Sequence, residues 1–192
     1  MISPVTFGQR MYYQVLSDPR IPLVIVKGPA GSGKTMIASK IGSQYVSSGK
    51  YDTLVITRPV IGNPHGYLPG TLDAKMKPWV RPMSDHLHST KRVDTIPLAY
   101  MRGLTLTNSF VIADEMQNST QEQMKMLLTR IGKNSKLVIT GDPDQSDIGI
   151  HNGFDDLVSR VKKTEDDLWK LIELTTDDIQ RSELVKRILG LY

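Results

Sequence analysis

One stretch of this chain of 192 residues is the most informative about its fold: Leu23-Val-Ile-Val-Lys-Gly-Pro-Ala-Gly-Ser-Gly-Lys-Thr35. Its apolar start predicts a strand at Leu23–Val26 that is buried on both faces. Gly28–Thr35 then follows the pattern G-x-x-x-x-G-K-[ST], and a helical pattern runs from Gly33 to about Ser48. A glycine-rich loop between a buried strand and a helix predicts a site for nucleotide phosphates, because backbone N–H groups and helix N termini attract anions.

The residue types in this loop predict separate roles. Lys34 is expected to reach the β- and γ-phosphates of a nucleotide, and the Thr35 hydroxyl is expected to ligate Mg²⁺. The glycines allow the backbone to approach the phosphates closely. We therefore expect nucleotide contacts along the whole loop, from Gly28, Pro29, Ala30, Gly31, Ser32, Gly33, Lys34 and Thr35.

Further apolar runs along the chain resemble the one at Leu23–Val26. They are nearly continuous rather than alternating, which predicts strands buried in a parallel sheet at Thr53–Thr57, Phe110–Ala113, Leu137–Thr140 and Leu168–Leu174. A helix is predicted to start at Ser119, with Glu122 completing a capping box, and to continue through Ile131; a last amphipathic stretch covers Ser182–Tyr192. Alternating strands and helices predict an α/β fold with a mostly parallel sheet, in a single domain over residues 1–192.

One segment, at about 60–102, departs from this rhythm. It holds Pro64, Pro69, Pro78, Pro82 and Pro97, with glycines at 62, 66 and 70. Prolines and glycines at this density interrupt regular structure, which predicts an insertion of loops and broken helix that leaves the sheet within the same domain. Long irregular insertions in compact domains are usually functional or disordered.

An acidic pair follows the predicted strand Phe110–Ala113. Asp114 would hold Mg²⁺ at the strand end, and Glu115 would act as the general base on the attacking water. An Asp-Glu pair alone is common on protein surfaces. Its place after an apolar strand, about 80 residues beyond the phosphate loop, favours the catalytic interpretation.

A third polar segment, Thr140-Gly-Asp-Pro-Asp-Gln145, follows the strand predicted at Leu137–Thr140. Ligands of open α/β sheets bind at the carboxyl ends of the strands, so this segment is expected near the other two. Gln145 is predicted to contact the γ-phosphate by hydrogen bonding. The alternative is a simple Gly-Asp-Pro turn without a role in chemistry.

Composition excludes several classes of function. The chain has no cysteine, which removes disulfides, thiolate zinc sites and cysteine nucleophiles, and it has neither a secretory signal pattern nor an apolar run long enough for a membrane span. We expect a cytoplasmic protein with no membrane partner.

The net charge of +4 is unevenly distributed, since residues 1–112 carry 13 Lys and Arg against 5 Asp and Glu. Such an excess indicates either a polyanion-binding face or an ordinary solvated surface.

Basic and aromatic side chains are interleaved within the insertion. Basic groups can follow a phosphate backbone while aromatic rings stack on bases, so this pattern predicts a surface for single-stranded nucleic acid. The alternative is that Trp79 packs in a local cluster and that the charged side chains form an ordinary solvated surface. The candidate contacts are Lys75, Lys77, Trp79, Arg81, Lys91 and Arg92.

Several longer motifs together resemble one known family, the PhoH family of P-loop ATPases. They run in order along essentially the whole chain: Gly66–Gly70, Lys77–Pro82, Ala99–Gly103, Asp114–Asn118, Gln123–Gly132, Thr140–Gln145 and Arg181–Arg187. The resemblance implies a RecA-like domain related to the first motor domain of superfamily 1 helicases. It also implies ATPase activity with Mg²⁺ and association with RNA.

Matched residue by residue, the resemblance adds roles to two glutamines. Gln9 matches the residue with which such helicases read the adenine edge, and Gln145 matches their γ-phosphate-sensing glutamine.

Two other functions stay open. A nucleoside kinase of the thymidine-kinase type is also a small P-loop protein, although such kinases usually carry a cysteine-ligated zinc, and a nucleotide-gated scaffold would bind ATP without turnover.

The resemblance also bears on assembly. Two-domain helicases complete the phosphate site with an arginine from their second domain, for which this chain is too short. We therefore expect a neighbouring subunit to donate the arginine, in a homo-oligomer that the resemblance implies to be a ring of six. Arg181 and Arg187 are the candidates, and pairing with nearby carboxylates is their alternative role.

Overall fold

A parallel sheet forms the centre of the protein. The computed structural model describes residues 4–59 and 92–180, and within them the strands are β1 (Leu23–Lys27), β2 (Thr53–Thr57), β3 (Val93–Thr95), β4 (Ser109–Ala113), β5 (Lys136–Gly141) and β6 (Trp169–Glu173). Every neighbouring pair is parallel, in the order β3-β2-β4-β5-β1-β6. The predicted α/β class is confirmed.

Four α-helices flank this sheet in the described residues: α1 (Phe7–Ser17), α2 (Lys34–Ser47), α3 (Gln121–Leu128) and α4 (Gly153–Val161). Helices α1 and α2 cover one face, where Tyr12 and Ile41 pack with Phe110 in a buried cluster. Helices α3 and α4 cover the other face, where Leu127 and Phe154 lie against the opposite side chains of the same strands. Burial on both faces explains why the strands read as continuous apolar runs.

The insertion predicted at about 60–102 ends earlier than the sequence suggested. Residues 93–95 return to the sheet as β3, which pairs with β2 from Leu54↔Val93 to Ile56↔Thr95, and a 3-10 helix follows at Leu98–Met101. The sequence interpretation failed here because β3 has only three residues and the middle one, Asp94, is polar and exposed at the sheet edge. Residues 60–91 lie outside the described part.

The start and end of α3 also differ from the prediction. Thr120 is the N-cap, and its capping box is completed by Gln123 rather than by the pair Ser119 and Glu122. The helix ends at Leu128, and Ile131 instead forms a parallel bridge with Leu106. The expected helix through Ile131 is therefore wrong, because tertiary pairing captures that residue. The segment Ser182–Tyr192 lies outside the described residues.

The strand order decides which loops meet. Strand β5 lies between β1 and β4, with Lys27 opposite Gly141 and Ala113 opposite Ile139. All three strands point the same way, so their carboxyl ends share one edge of the sheet. The phosphate loop, the acidic pair and the segment after β5 consequently lie side by side. No helix in the described residues is long and apolar enough to cross a membrane.

Candidate functional site

The phosphate loop lies between the carboxyl end of β1 and the start of α2. Gly31 and Gly33 have φ angles of +82° and +92°, a region that residues with a Cβ rarely adopt. Gly33 is the N-cap of α2 and supplies no side-chain cap. The first N–H groups of α2 are therefore left as donors at the positive end of the helix dipole, as an anion site requires.

Lys34 folds back over this loop. Its Nζ donates hydrogen bonds to the carbonyls of Gly28 (2.6 Å) and Pro29 (2.9 Å). Burial lowers the pKa of Lys34, while nearby carboxylates oppose that shift: those of Asp142, Glu115 and Asp114. The ammonium group thus lies between the loop carbonyls and the acidic residues of the neighbouring strand ends.

Thr35 and Asp114 meet directly at this edge. The Thr35 hydroxyl donates to Asp114 Oδ1 at 2.7 Å, and the Thr140 hydroxyl, at the end of β5, donates to the same oxygen. Since Thr35 gives its hydrogen to Asp114, the lone pairs of its oxygen stay available to a cation. A hydroxyl and a carboxylate side by side fit Mg²⁺, which takes few protein oxygens and completes its shell with phosphate and water.

Glu115, the second residue after β4, occupies a strained backbone position. Its φ angle is +54°, in the left-handed region that a glutamate rarely adopts. One carboxylate oxygen, Oε2, accepts a hydrogen bond from Gln117 Nε2 at 2.6 Å. The carboxylate is half-buried, whereas Asp114 beside it is 6% exposed. Strain of this kind concentrates at functional sites.

The segment after β5 forms a 3-10 turn, Pro143–Gln145. Asp142 is buried before the turn, and its Oδ2 accepts a hydrogen bond from Gln145 Nε2 at 2.7 Å. Gln145 is otherwise exposed. The turn that the sequence suggested is thus present, and it carries the glutamine at the same edge as the phosphate loop. A contact between Gln145 and a γ-phosphate stays a prediction.

Gln9 is 1% exposed and lies against the phosphate loop. Its Nε2 donates to the carbonyls of Ser32 and Asp178, each at 3.1 Å, and its Oε1 accepts from the Val5 N–H at 3.0 Å. The amide therefore ties α1 to the loop. Because both of its N–H groups have protein partners, donation to an adenine would need one of these bonds to exchange. The predicted adenine contact stays a prediction.

Three residues of this site escaped the sequence reasoning as functional side chains. Thr140 shares Asp114 with Thr35, Gln117 contacts Glu115, and the Tyr12 hydroxyl donates to the Lys34 carbonyl at 3.1 Å. A polar residue at the end of an apolar strand is the signal that could have indicated Thr140. The Tyr12 contact depends on how α1 packs against α2, and the further contacts of Gln117 with Asp142 and Gln145 depend on the strand order, so no local pattern indicates them.

The other candidate residues are separated from this site or undescribed. Arg92 is exposed at the amino end of β3, where its carbonyl accepts from the Leu54 N–H at 3.0 Å. That end of the sheet is opposite the phosphate loop, so the structure does not bring Arg92 to the nucleotide edge. The remaining candidates lie outside the described residues: Lys75, Lys77, Trp79, Arg81, Lys91, Arg181 and Arg187.

A parallel sheet with this loop after β1 and an acidic pair after β4 defines the class of P-loop NTPase domains. Within that class, the family model described as "PhoH-like protein" matches residues 1–192, and the chain belongs to the PhoH family. The predicted resemblance is confirmed.

Similarity to individual relatives covers nearly the whole chain but only part of each relative. A PhoH-like protein of Bacillus subtilis is 40% identical, with 97% of this chain and 62% of that protein aligned. A PhoH-like protein of Synechocystis is 37% identical over 97% of this chain and 61% of its own length. Protein PhoH of Escherichia coli is 35% identical over 88% and 52% respectively. The chain spans less than two thirds of the length of these relatives.

Solved structures of helicases also resemble this chain. The Pif1 helicase of Candida albicans aligns with 91% of this chain and 40% of its own, at 19% identity and a TM-score of 0.46. A Bacteroides Pif1 bound to single-stranded DNA aligns with 99% of this chain and 46% of its own, at 15% identity and a TM-score of 0.46.

Proposed function

We propose that this domain binds ATP and hydrolyses it with Mg²⁺. The observation that carries the proposal is the contact between Thr35 of the phosphate loop and Asp114 directly after β4, at 2.7 Å, with Glu115 next in the chain. This contact joins the two halves of a phosphate and metal site that are far apart in sequence. A lysine under the influence of the same carboxylates, Lys34, supplies the positive charge for the phosphates.

Each residue has one task in this reaction. Thr35 and Asp114 would hold Mg²⁺, which neutralises charge on the phosphate oxygens when bound. Lys34 holds the β- and γ-phosphates, and Gln145 orients the γ-phosphate. The water oxygen bonds to the γ-phosphorus while the bond from that phosphorus to the bridging oxygen breaks. ADP leaves with the electron pair, and Glu115 takes the proton of the water.

Single substitutions separate binding from turnover. Lys34→Ala should abolish both ATP binding and phosphate release, and Asp114→Asn should raise the Mg²⁺ concentration needed for either. Glu115→Gln should bind ATP normally but lower kcat by about 100-fold or more, because general-base catalysis contributes about 10²–10⁴-fold. Binding of a fluorescent ATP analogue and release of inorganic phosphate measure the two quantities.

Glu122→Gln is the matched control, since Glu122 is an exposed glutamate in the first turn of α3. It should behave like the wild type in both assays. Normal turnover in Glu115→Gln would contradict the role of Glu115 as the base. Phosphate transfer to thymidine, without release of phosphate in its absence, would favour the nucleoside kinase. ATP binding without any turnover would favour the scaffold.

Single-stranded nucleic acid, as RNA or DNA, is the polymer partner in this proposal. The excess of basic residues before residue 113 supports it, because a cationic surface attracts a phosphate backbone. Binding should weaken steeply with salt as counterions are released. ATPase assays with and without single-stranded RNA and DNA, with a variant neutral at positions 81, 91 and 92, test the idea. Unchanged affinity in that variant would contradict the assignment.

A further inference from the structure

Gln117 lies completely buried between the ends of β4 and β5, where its amide contacts three residues from two segments of the site. Nε2 donates to Glu115 Oε2 at 2.6 Å and to the Gln145 carbonyl at 3.4 Å, and Oε1 accepts from the Asp142 N–H at 3.1 Å. Both ends of the amide are therefore engaged. A buried amide that uses its donors and its acceptor is held in a single orientation.

These bonds form a continuous connection between two proposed catalytic side chains. From Glu115 the connection passes through the Gln117 amide to Asp142, and Asp142 Oδ2 accepts from Gln145 Nε2 at 2.7 Å. The backbone of Gln117 is itself held, since its carbonyl accepts from the Ser146 hydroxyl at 2.9 Å. Glu115 and the turn that carries Gln145 are thus linked through one side chain.

Glu115 needs such a support. It is the second residue after β4 and has a φ angle of +54°, and its side chain is half-buried, so close packing does not hold the carboxylate. A general base must lie within hydrogen-bond distance of the proton that it takes. With Oε2 bonded to Gln117, the orientation of the second carboxylate oxygen is set as well.

We propose that Gln117 is a positioning residue, which orients the Glu115 carboxylate and couples it to the turn Asp142–Gln145. Contact of Gln145 with the γ-phosphate then shifts the same hydrogen bonds that hold the base. The inference rests on the proposed function, since it assigns to Gln117 a role through Glu115. Gln117 touches neither phosphate nor water in this scheme.

Gln117→Met tests the role, because methionine has a similar length and lacks the amide. The expected result is a kcat about 10- to 100-fold lower, since small misplacement of a reacting group costs up to about 10²-fold. The KM for ATP and the binding of a fluorescent ATP analogue should change little. Gln121→Met, at an exposed glutamine of α3, is the matched control and should leave kcat unchanged.

A double-mutant cycle separates positioning from general damage. In a Glu115→Gln background, Gln117→Met should lower kcat no further, because the base through which Gln117 acts is already lost. Any change in unfolding temperature that Gln117→Met causes in the wild type should also occur in the Glu115→Gln background. A loss of kcat of equal size with and without Glu115 would overturn the inference.

A second variant keeps the test valid if Gln117→Met does not fold. Gln117→Glu keeps the length and the acceptor for the Asp142 N–H, and removes the donor to Glu115 together with the longer bond to the Gln145 carbonyl. Gln117→Glu alone should lower kcat. Combined with Glu115→Gln, it should restore the donor–acceptor pair between positions 115 and 117 and the unfolding temperature, but not kcat. Recovery of kcat in this swapped pair would overturn the inference.

Failure of this inference and failure of the proposed function give different results. Wild-type protein that shows no phosphate release dependent on Lys34 would overturn the proposed function and this inference together. Wild-type turnover that depends on Lys34 and Glu115, with unchanged kcat in Gln117→Met, would overturn this inference alone.

Discussion

Lys136 shows how one residue can hold an element in place. It is the first residue of β5 and is 1% exposed, and its Nζ donates to the carbonyls of Leu16 (2.8 Å) and Asp18 (2.7 Å). These carbonyls belong to the C-terminal end of α1, where a cation is favourable. Lys136 therefore fastens α1, the helix that carries Gln9, to the sheet.

The charge of Lys136 predicts a pH dependence of stability. Burial lowers its pKa from 10.5 to about 8. Between these values the unfolded chain binds more protons than the folded one, so the free energy of unfolding rises with pH in this window. Relative to Lys136→Met, the wild type should gain about 2 kcal/mol between pH 7 and pH 9.5, as measured by urea unfolding.

Lys133→Met, at an exposed lysine three residues earlier, is the control for this comparison. Its unfolding free energy should follow that of the wild type across the same pH range. Parallel pH curves for the wild type and Lys136→Met would contradict the prediction.

At the scale of elements, helices α3 and α4 pack closely against each other at Gly153. Gly153 begins α4, and its N–H donates to the Ser119 carbonyl at 2.7 Å. A Cβ at Gly153 would lie 2.4 Å from the Thr120 carbonyl oxygen and 2.8 Å from Met124 Cβ. Because backbone atoms cannot move aside as a flexible side chain can, only glycine allows the two helices to pack this closely.

Gly153→Ala should therefore separate α3 from α4. We expect a loss of about 1–3 kcal/mol in the free energy of unfolding, as in other overpacked cores, measured by urea or thermal unfolding. Ser159→Ala, at an exposed position of the same helix, should change it by less than about 0.5 kcal/mol. Equal stability of the two variants would show that the helices can move apart without cost.

At the scale of the whole molecule, we propose that a second subunit completes the site. The Gln180 N–H donates to the Gly31 carbonyl at 3.1 Å, so the chain passes the phosphate loop just before Arg181. An arginine supplied in trans stabilises the charge that develops during phosphoryl transfer. Identical head-to-tail contacts form a ring where the rotation between subunits closes, and the resemblance to the PhoH family implies six subunits.

Subunit mixing tests this assembly. Arg181→Ala subunits keep the phosphate loop and Lys34→Ala subunits keep the arginine, so a mixture should recover phosphate release that neither variant shows alone. The same mixture with Arg187→Ala identifies the donor, and mixing each variant with itself is the control. A monomeric wild type with full ATPase activity, or assembled mixtures without recovery, would contradict the proposal.

Much of the site could be predicted because it is encoded locally. The strand of Leu23–Lys27, the glycines at positive φ and the first turn of α2 are consecutive in the chain, so their residue types alone indicate a phosphate loop. The strand before Asp114 is equally local, because the apolar run of four residues Phe110–Ala113 needs no distant partner to be recognised. Local residue patterns were therefore enough to predict the class of fold and the phosphate loop.

Tertiary structure alone decided how these parts meet. Strand β5 enters between β1 and β4, which brings Thr140 to Asp114 and the turn after β5 to Gln117. Pairing with β2 also places the short strand β3 at the sheet edge. The physical reason is that parallel pairing joins segments separated by dozens of residues, and its energy comes from hydrogen bonds and packing that no local pattern of residues contains.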